Sequence, residues 1–244
     1  MENPGTQLSY YDCLDKLGYS KERSEKRVKI YDNGAECLTR VTNRNWTTES
    51  TINIIAGSRG EGTAVSLGSD LDLIFVTPVV KCFEIYPEDS EDIMDFIATF
   101  EMIKDADSHG YTKLRNKFLK KDLQEGQKYH IQAGRLKVAL TKEGYLINNR
   151  RLIAAIEDGG EDMKRQGWIC RRYNYDEITG PARPLQYPLP FADKALPVDF
   201  VPALPCSRPT SELNAWSERK RTNAWPSIDT VKAVKESEVL VVPV

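Results

Sequence analysis

The stretch Ala56-Gly57-Ser58-Arg59-Gly60-Glu61-Gly62-Thr63, followed by Ser69-Asp70-Leu71-Asp72-Leu73-Ile74-Phe75-Val76, decides how the rest of the chain is read. An apolar run from Ile52 to Ala56 precedes it and predicts a short strand. Next come a Gly/Ser turn, about three helical turns' worth of chain, and a second apolar strand opened by two aspartates. Side chains two apart on a strand project to the same face. Asp70 and Asp72 are therefore expected to project together, with Leu71 and Leu73 on the opposite, core-facing side. Two carboxylates held side by side repel one another unless a cation sits between them. Hard divalent ions such as Mg2+ take oxygen ligands of this kind, commonly one or two carboxylates plus substrate phosphates.

A third acid lies far downstream, in Leu196-Pro197-Val198-Asp199-Phe200-Val201-Pro202-Ala203-Leu204. This is an apolar strand with one carboxylate inside it. Such an acid is costly to bury without a partner. A cation shared with Asp70 and Asp72 would be that partner, so the three are expected to converge.

Two phosphate-binding loops fail on this sequence. Gly57 and Gly62 have P-loop spacing, but Thr63 stands where that motif requires lysine, and no lysine occurs between Gly57 and Asp72. Gly57, Gly60 and Gly62 have the spacings of a dinucleotide fingerprint in the wrong order. Gly57-Ser58 reads as a tight turn opening a helix, a place where backbone N–H groups can also hold phosphate. On its own, Glu61 reads as a helix N-terminal acid favoured by the dipole.

The constellation resembles the nucleotidyltransferase superfamily, whose pattern is Gly-Ser, two acids one residue apart and a third acid on a later strand. The resemblance is closest to the cyclic GMP–AMP synthase-like, Mab-twenty-one (male-abnormal) family. It is carried by Gly57-Ser58 with Glu61-Gly62-Thr63, by Ser69-Asp70-Leu71-Asp72-Leu73, and by Val198 to Leu204. Trp216 to Arg221, Trp225-Pro226 and Val241 to Val244 also look like that family's pattern, so the likeness runs from about residue 50 to the end.

The resemblance implies an α+β nucleotidyltransferase fold. Its N-terminal helices (residues 1–48, spine-like) would pack on a mixed, twisted sheet in a core of residues 49–244. Full-length relatives continue into a mostly helical lobe, so the chain is expected to resemble the catalytic lobe alone, weakly active or inactive. The resemblance makes Asp70, Asp72 and Asp199 catalytic and metal-binding for Mg2+ or Mn2+, and Gly57, Ser58 and Glu61 nucleotide-binding. It implies nucleotidyl transfer from ATP or GTP, extended to cyclic dinucleotide synthesis in innate immunity, activated by double-stranded RNA or DNA, in the cytoplasm or also the nucleus. Oligoadenylate synthases share a similar run. Catalytically silent Mab-twenty-one members acting as binding or developmental proteins are the alternative of another class.

The chain has 244 residues, 29% charged and 40% hydrophobic, with a formal net charge of −2. These are ordinary globular values, and any nucleic-acid surface must be local. Lys21, Arg23, Lys26, Arg27 and Lys29 cluster in the first half of a helix expected from Ser20 to about Asn43. Interleaved Glu22 and Glu25 favour a solvated face; the resemblance adds duplex binding. Val28, Tyr31, Ala35 and Leu38 fall on one side of this helix, with Gly34 in its middle. No run suits a membrane span and the N-terminus is not a signal peptide. Five scattered cysteines, with only His109 and His130 beside them, read as reduced thiols without a structural zinc site.

Elsewhere, residues 6–17 predict a helix ended by Gly18, and Val79 to Tyr86 a strand. Residues 93–103 are ambiguous, with strand preferred for the second half; Tyr111 to Phe118 is its expected partner. Lys113, Arg115 and Lys117 would share one face of that basic strand, a feature that also guards exposed edges. A helix is expected over 148–159, a loop over 180–184 and a strand over 239–244.

Overall fold

The computed structural model describes residues 9–45, 51–64, 69–87, 91–104, 112–120, 140–146, 182–187, 196–207, 210–221 and 225–243. The expected helix over 148–159, both histidines and Cys170 lie outside them. Cys13, Cys37, Cys82 and Cys206 are free thiols.

Two helices open the chain. Helix α1 (Tyr10–Lys16) starts at Ser9, whose side chain accepts from the Asp12 amide while Asp12 reaches back to the Ser9 amide. Such a reciprocal cap satisfies two otherwise orphan donors. Tyr11 and Leu17 are both exposed. Helix α2 (Lys21–Asn45) runs straight through Gly34. Its periodicity turns Ala35 into the core, with Val28, Tyr31 and Leu38 partly buried beside it.

Among the described residues the strands form one eight-stranded mixed sheet in an α+β architecture. They are β1 (Ile52–Ala56), β2 (Leu71–Val76), β3 (Val80–Phe83), β4 (Ala98–Lys104), β5 (Thr112–Leu119), β6 (Arg183–Tyr187), β7 (Leu196–Cys206) and β8 (Val239–Val241). The order is β1-β2-β7-β3-β4-β5, with β6 and β8 also paired to β7. Strand β7 is thus the axis: it runs parallel to β2 and β3 and antiparallel to β6 and β8. Residues 91–95 form a 3-10 turn and Ala98–Lys104 a strand, so the ambiguous 93–103 run divides between the two. β5 pairs antiparallel with β4, as expected. The expected loop over 180–184 is corrected at its end: Arg183 and Pro184 belong to β6, opposite Phe200 and Asp199. A strand with one partner tolerates a proline because it has a side where no N–H is needed.

Alternation along β2 and β7 sorts the sheet's faces. Leu73, Phe75, Val198 and Phe200 are buried together, with Leu38 of α2 and Ile55 packed against them. The Phe75 and Phe200 rings lie 5.3 Å apart. A second cluster (Val80, Cys82, Ile97, Ala98, Phe100, Leu114, Leu204, Cys206) fills the β3–β5 end. Burying each such Val, Leu or Phe contributes roughly 1.5–3 kcal/mol.

Hydrogen bonds fix α2 to β1. Asn43 Oδ1 accepts from the Thr51 amide at 2.7 Å and Thr51 Oγ1 at 2.9 Å, while Asn43 Nδ2 donates to Thr51 O. The Asn53 amide donates to Thr39 Oγ1 at 2.9 Å. At the far end, helix α4 (Ser211–Glu218) docks through Glu84, which accepts from the Ser211 amide at 2.6 Å. Lys104 pairs with both Glu84 and Glu212. Burial pushes the Glu84 carboxyl up, but its bonds from Lys104 and Ser211 outweigh that and leave it below the usual range. Helix α5 (Ile228–Glu236) then leads to β8. Among the described residues no helix is long and apolar enough to cross a membrane.

Gly34 offers a direct check of how α2 is held. A Cβ there would meet only Ile55 Cδ1, at 3.9 Å, an ordinary contact. Glycine inside a helix costs roughly 0.5–1 kcal/mol relative to alanine. Gly34→Ala should therefore raise stability by about that amount, seen as a higher urea midpoint at unchanged slope.

Candidate metal centre

Register brings the acids together. Strands β2 and β7 run parallel with Asp72 beside Asp199, and Ala56 of β1 lies beside Asp72 on the other side. Asp70 precedes β2 by one residue and returns to the Asp72 face, as a period of two requires. Carboxylate oxygens of Asp70, Asp72 and Asp199 all lie within 4.8 Å of one another. Leu73 is buried on the opposite face, as expected from the alternation.

Asp70 is exposed, while Asp72 and Asp199 are half-buried. Burial, then the charge of Asp70, raises the Asp72 carboxyl above its ordinary value. Burial, then Asp70 and Asp72, does the same to Asp199. No lysine, arginine or histidine among the described residues forms an ion pair with any of the three. Ser69 Oγ, next to Asp70, is buried with no hydrogen-bond partner among the described residues. Convergent, mutually repelling carboxylates that no basic side chain among the described residues pairs with are a hard-cation donor set. The three residues can hold a metal ion.

The turn before the site is shaped around Asp72. Helix α3 (Gly57–Gly60) is a single turn opened at Gly57; residues 65–68 lie outside the described set. Gly57 has φ +62°, and a Cβ on it would stand 1.9 Å from Asp72 Oδ2. The Asp72 carboxylate thus occupies the space a side chain would take. Gly60 and Gly62 are equally constrained: a Cβ on Gly60 would meet Ile55 O at 2.2 Å, and one on Gly62 would meet Ser24 O at 2.5 Å.

The other sequence candidates fall as follows. Ser58 is exposed on the same turn, its carbonyl accepting from the Thr63 and Ala64 amides at 2.8 Å. Glu61 is exposed and is the C-cap of α3, so its reading as a helix N-terminal acid is corrected: it lies at the negative end of the dipole. Lys21 pairs with Glu25, and Lys26 with Glu22, both exposed i,i+4 pairs. Arg27 is turned inward; its Nε donates to Gly62 O at 2.7 Å and its Nη2 to Ser24 Oγ. Arg23 is exposed.

Arg59 was not singled out by the sequence. It is only 3% exposed. Its Nε donates to Asp70 O at 2.9 Å and to Ser69 O at 3.2 Å, its Nη2 to Ser69 O, and its Nη1 to Tyr31 Oη at 2.7 Å. An arginine between small polar and glycine residues reads as solvent-exposed; its acceptors come from the folded-back strand entry and from Tyr31 of α2.

No family model matches the chain, and no curated protein matches it.

Two outcomes test this geometry. Gly57→Ala should cost at least the roughly 1–2 kcal/mol of a left-handed non-glycine residue, and it should lower divalent-metal affinity by displacing Asp72, measured by Mn2+ titration. The second concerns pH. A carboxyl whose folded pKa is raised destabilises the fold above that pKa, and the cost disappears as pH falls toward its unfolded value near about 4. Metal-free parent protein should therefore gain stability relative to Asp72→Asn as pH falls from 7 toward 4. Saturating Mg2+ should raise the melting temperature of the parent at pH 7 and leave that of Asp72→Asn unchanged.

Proposed function

We propose that the chain is a metal-dependent nucleotidyltransferase of the cyclic GMP–AMP synthase-like, Mab-twenty-one type, using ATP or GTP. One observation carries the reading: Asp70, Asp72 and Asp199 converge from β2 and β7, beside a Gly57-Ser58 turn. The Gly57-Ser58 turn, the Asp70-Leu71-Asp72 run and Asp199, three of the motifs that carry the resemblance, are neighbours in the fold, which supports the reading. A repelling acidic triad open to solvent at Asp70 is poorly explained as a structural feature alone.

Bound at the three carboxylates, Mg2+ or Mn2+ would offset the triphosphate's charge and lower the pKa of an attacking hydroxyl. The chain's own residues do the rest. Asp70 and Asp72 hold the donor side from the entry of β2. Asp199, with its raised proton affinity, accepts the proton of the acceptor ribose hydroxyl. The oxygen so released bonds to the α-phosphorus of the donor, the bond to the bridging oxygen breaks, and pyrophosphate leaves. Gly57 keeps the Asp72 carboxylate in place by having no side chain, and the exposed Ser58 hydroxyl offers a donor to terminal phosphates.

Duplex RNA or DNA belongs to the same proposal as an activating partner. Its contacts on α2 would be Lys21, Arg23 and Lys26, through phosphates. Arg27 is better read as a structural residue, since its guanidinium is already bonded to Gly62 O. Such binding would weaken steeply with salt.

Titrating the protein with each of the four labelled nucleoside triphosphates in Mg2+ tests the proposal. Nucleotide binding should require the metal and be abolished in Asp72→Asn, with the circular dichroism spectrum kept. Equal Mg2+-dependent affinity in mutant and parent would sink it. Charge reversal at Lys21, Arg23 and Lys26, leaving Arg27 intact, should remove duplex binding at low salt; unchanged affinity would exclude this surface.

A further inference from the structure

The three acids are not held alike. Asp72 lies inside the ladder, with Ala56 on one side and Asp199 on the other. Asp199 lies inside it too, between Asp72 and Pro184. Asp70 precedes the first paired residue of β2, Leu71, which lies beside Val198. Among the described residues, the hydrogen bond that holds the Asp70 backbone comes from a side chain, Arg59 Nε, at 2.9 Å. The same guanidinium grips Ser69 O through Nε and Nη2, and its third nitrogen is fixed by Tyr31 Oη of α2. The planar fork spans two successive carbonyls and a phenol at once, a geometry lysine cannot copy.

We infer that Arg59, braced by Tyr31, is a positioning residue of the metal centre that sets where the Asp70 carboxylate stands relative to Asp72 and Asp199. This rests on the reading of the three acids as a metal site. Arg59 touches neither metal nor substrate in this role; it acts through the backbone of Ser69 and Asp70. Residues that orient metal ligands affect affinity nearly as strongly as some ligands do, typically ten- to a hundredfold.

The experiment uses the full chain and Mn2+ alone as the probe. Parent, Arg59→Lys, Tyr31→Phe, Asp72→Asn and Thr39→Val are compared by electron paramagnetic resonance of free Mn2+, each well below its melting temperature. Amide exchange of the metal-free proteins is measured alongside. Thr39→Val removes an α2–β1 bond without touching residues 69–70, so it controls for plain loss of stability. Arg59→Lys should weaken Mn2+ binding about tenfold or more, and Tyr31→Phe should weaken it less but in the same direction. Exchange should rise at Asp70 and Leu71 in both, while Thr39→Val keeps parental affinity and loosens only the start of β1. Should Arg59→Lys fail to fold, the Tyr31→Phe comparison with Thr39→Val decides the question. Parental affinity and exchange in the Arg59 and Tyr31 variants, or an equal loss in Thr39→Val, would overturn the positioning role. Parent that binds Mn2+ no better than Asp72→Asn would overturn the metal reading instead, and the exchange pattern would still show whether Arg59 holds Asp70.

Discussion

The repulsion among three carboxylates is the constraint on which the site depends. Asp72 and Asp199 sit side by side on parallel strands, and Asp70 returns to the same face. Partial burial, and then the charge of the neighbouring carboxylates, raises the proton affinity of Asp72 and Asp199. A fold selected for stability alone would place a basic residue there or replace the acids. Instead the stability comes from elsewhere: the Leu73, Phe75, Val198 and Phe200 face packed under α2, and the second cluster at the β3–β5 end. The same strands carry both jobs because alternation gives each strand an apolar side and an acidic side.

The turn and the helix behind the site work as one unit. Gly57 yields its side-chain space to the Asp72 carboxylate. Arg27 and Tyr31, one helical turn apart on α2, reach Gly62 O and Arg59, on the turn that starts at Gly57. Arg59 in turn holds the carbonyls just before β2. Buried arginine is costly unless its donors are satisfied, and here the strand entry and Tyr31 supply the acceptors. That requirement is what ties α2 to the acidic face rather than to the sheet alone.

The basic residues of α2 show how misleading a charge list is. Lys21 and Lys26 have acidic partners one turn away, worth only a few tenths of a kcal/mol each, roughly 0.2–0.5. Arg27, identical to them in a charge count, is an internal strut. Any polyanion surface on this helix therefore rests on exposed Lys21, Arg23, Lys26 and Lys29.

Local pattern was enough for much of this. The apolar runs around Ile54, Ile74 and Phe200 give strands, the 3.6-residue spacing of Val28, Tyr31, Ala35 and Leu38 gives α2, and the period of two puts Asp70 and Asp72 on one face. Those follow from covalent geometry and side-chain spacing, which the sequence contains entire. Tertiary structure alone decided that β7 lies next to β2 in the register that sets Asp199 beside Asp72, because pairing between strands so far apart depends on the packing of the whole sheet. It also decided that Pro184 joins a strand, that α3 is one turn long with Glu61 at its C-terminal end, and that Arg59 turns inward. A side chain's partner is set by what the fold brings near it, and for Arg59 those partners are two backbone carbonyls, which no sequence pattern marks, and the phenol of Tyr31, 28 residues away in sequence.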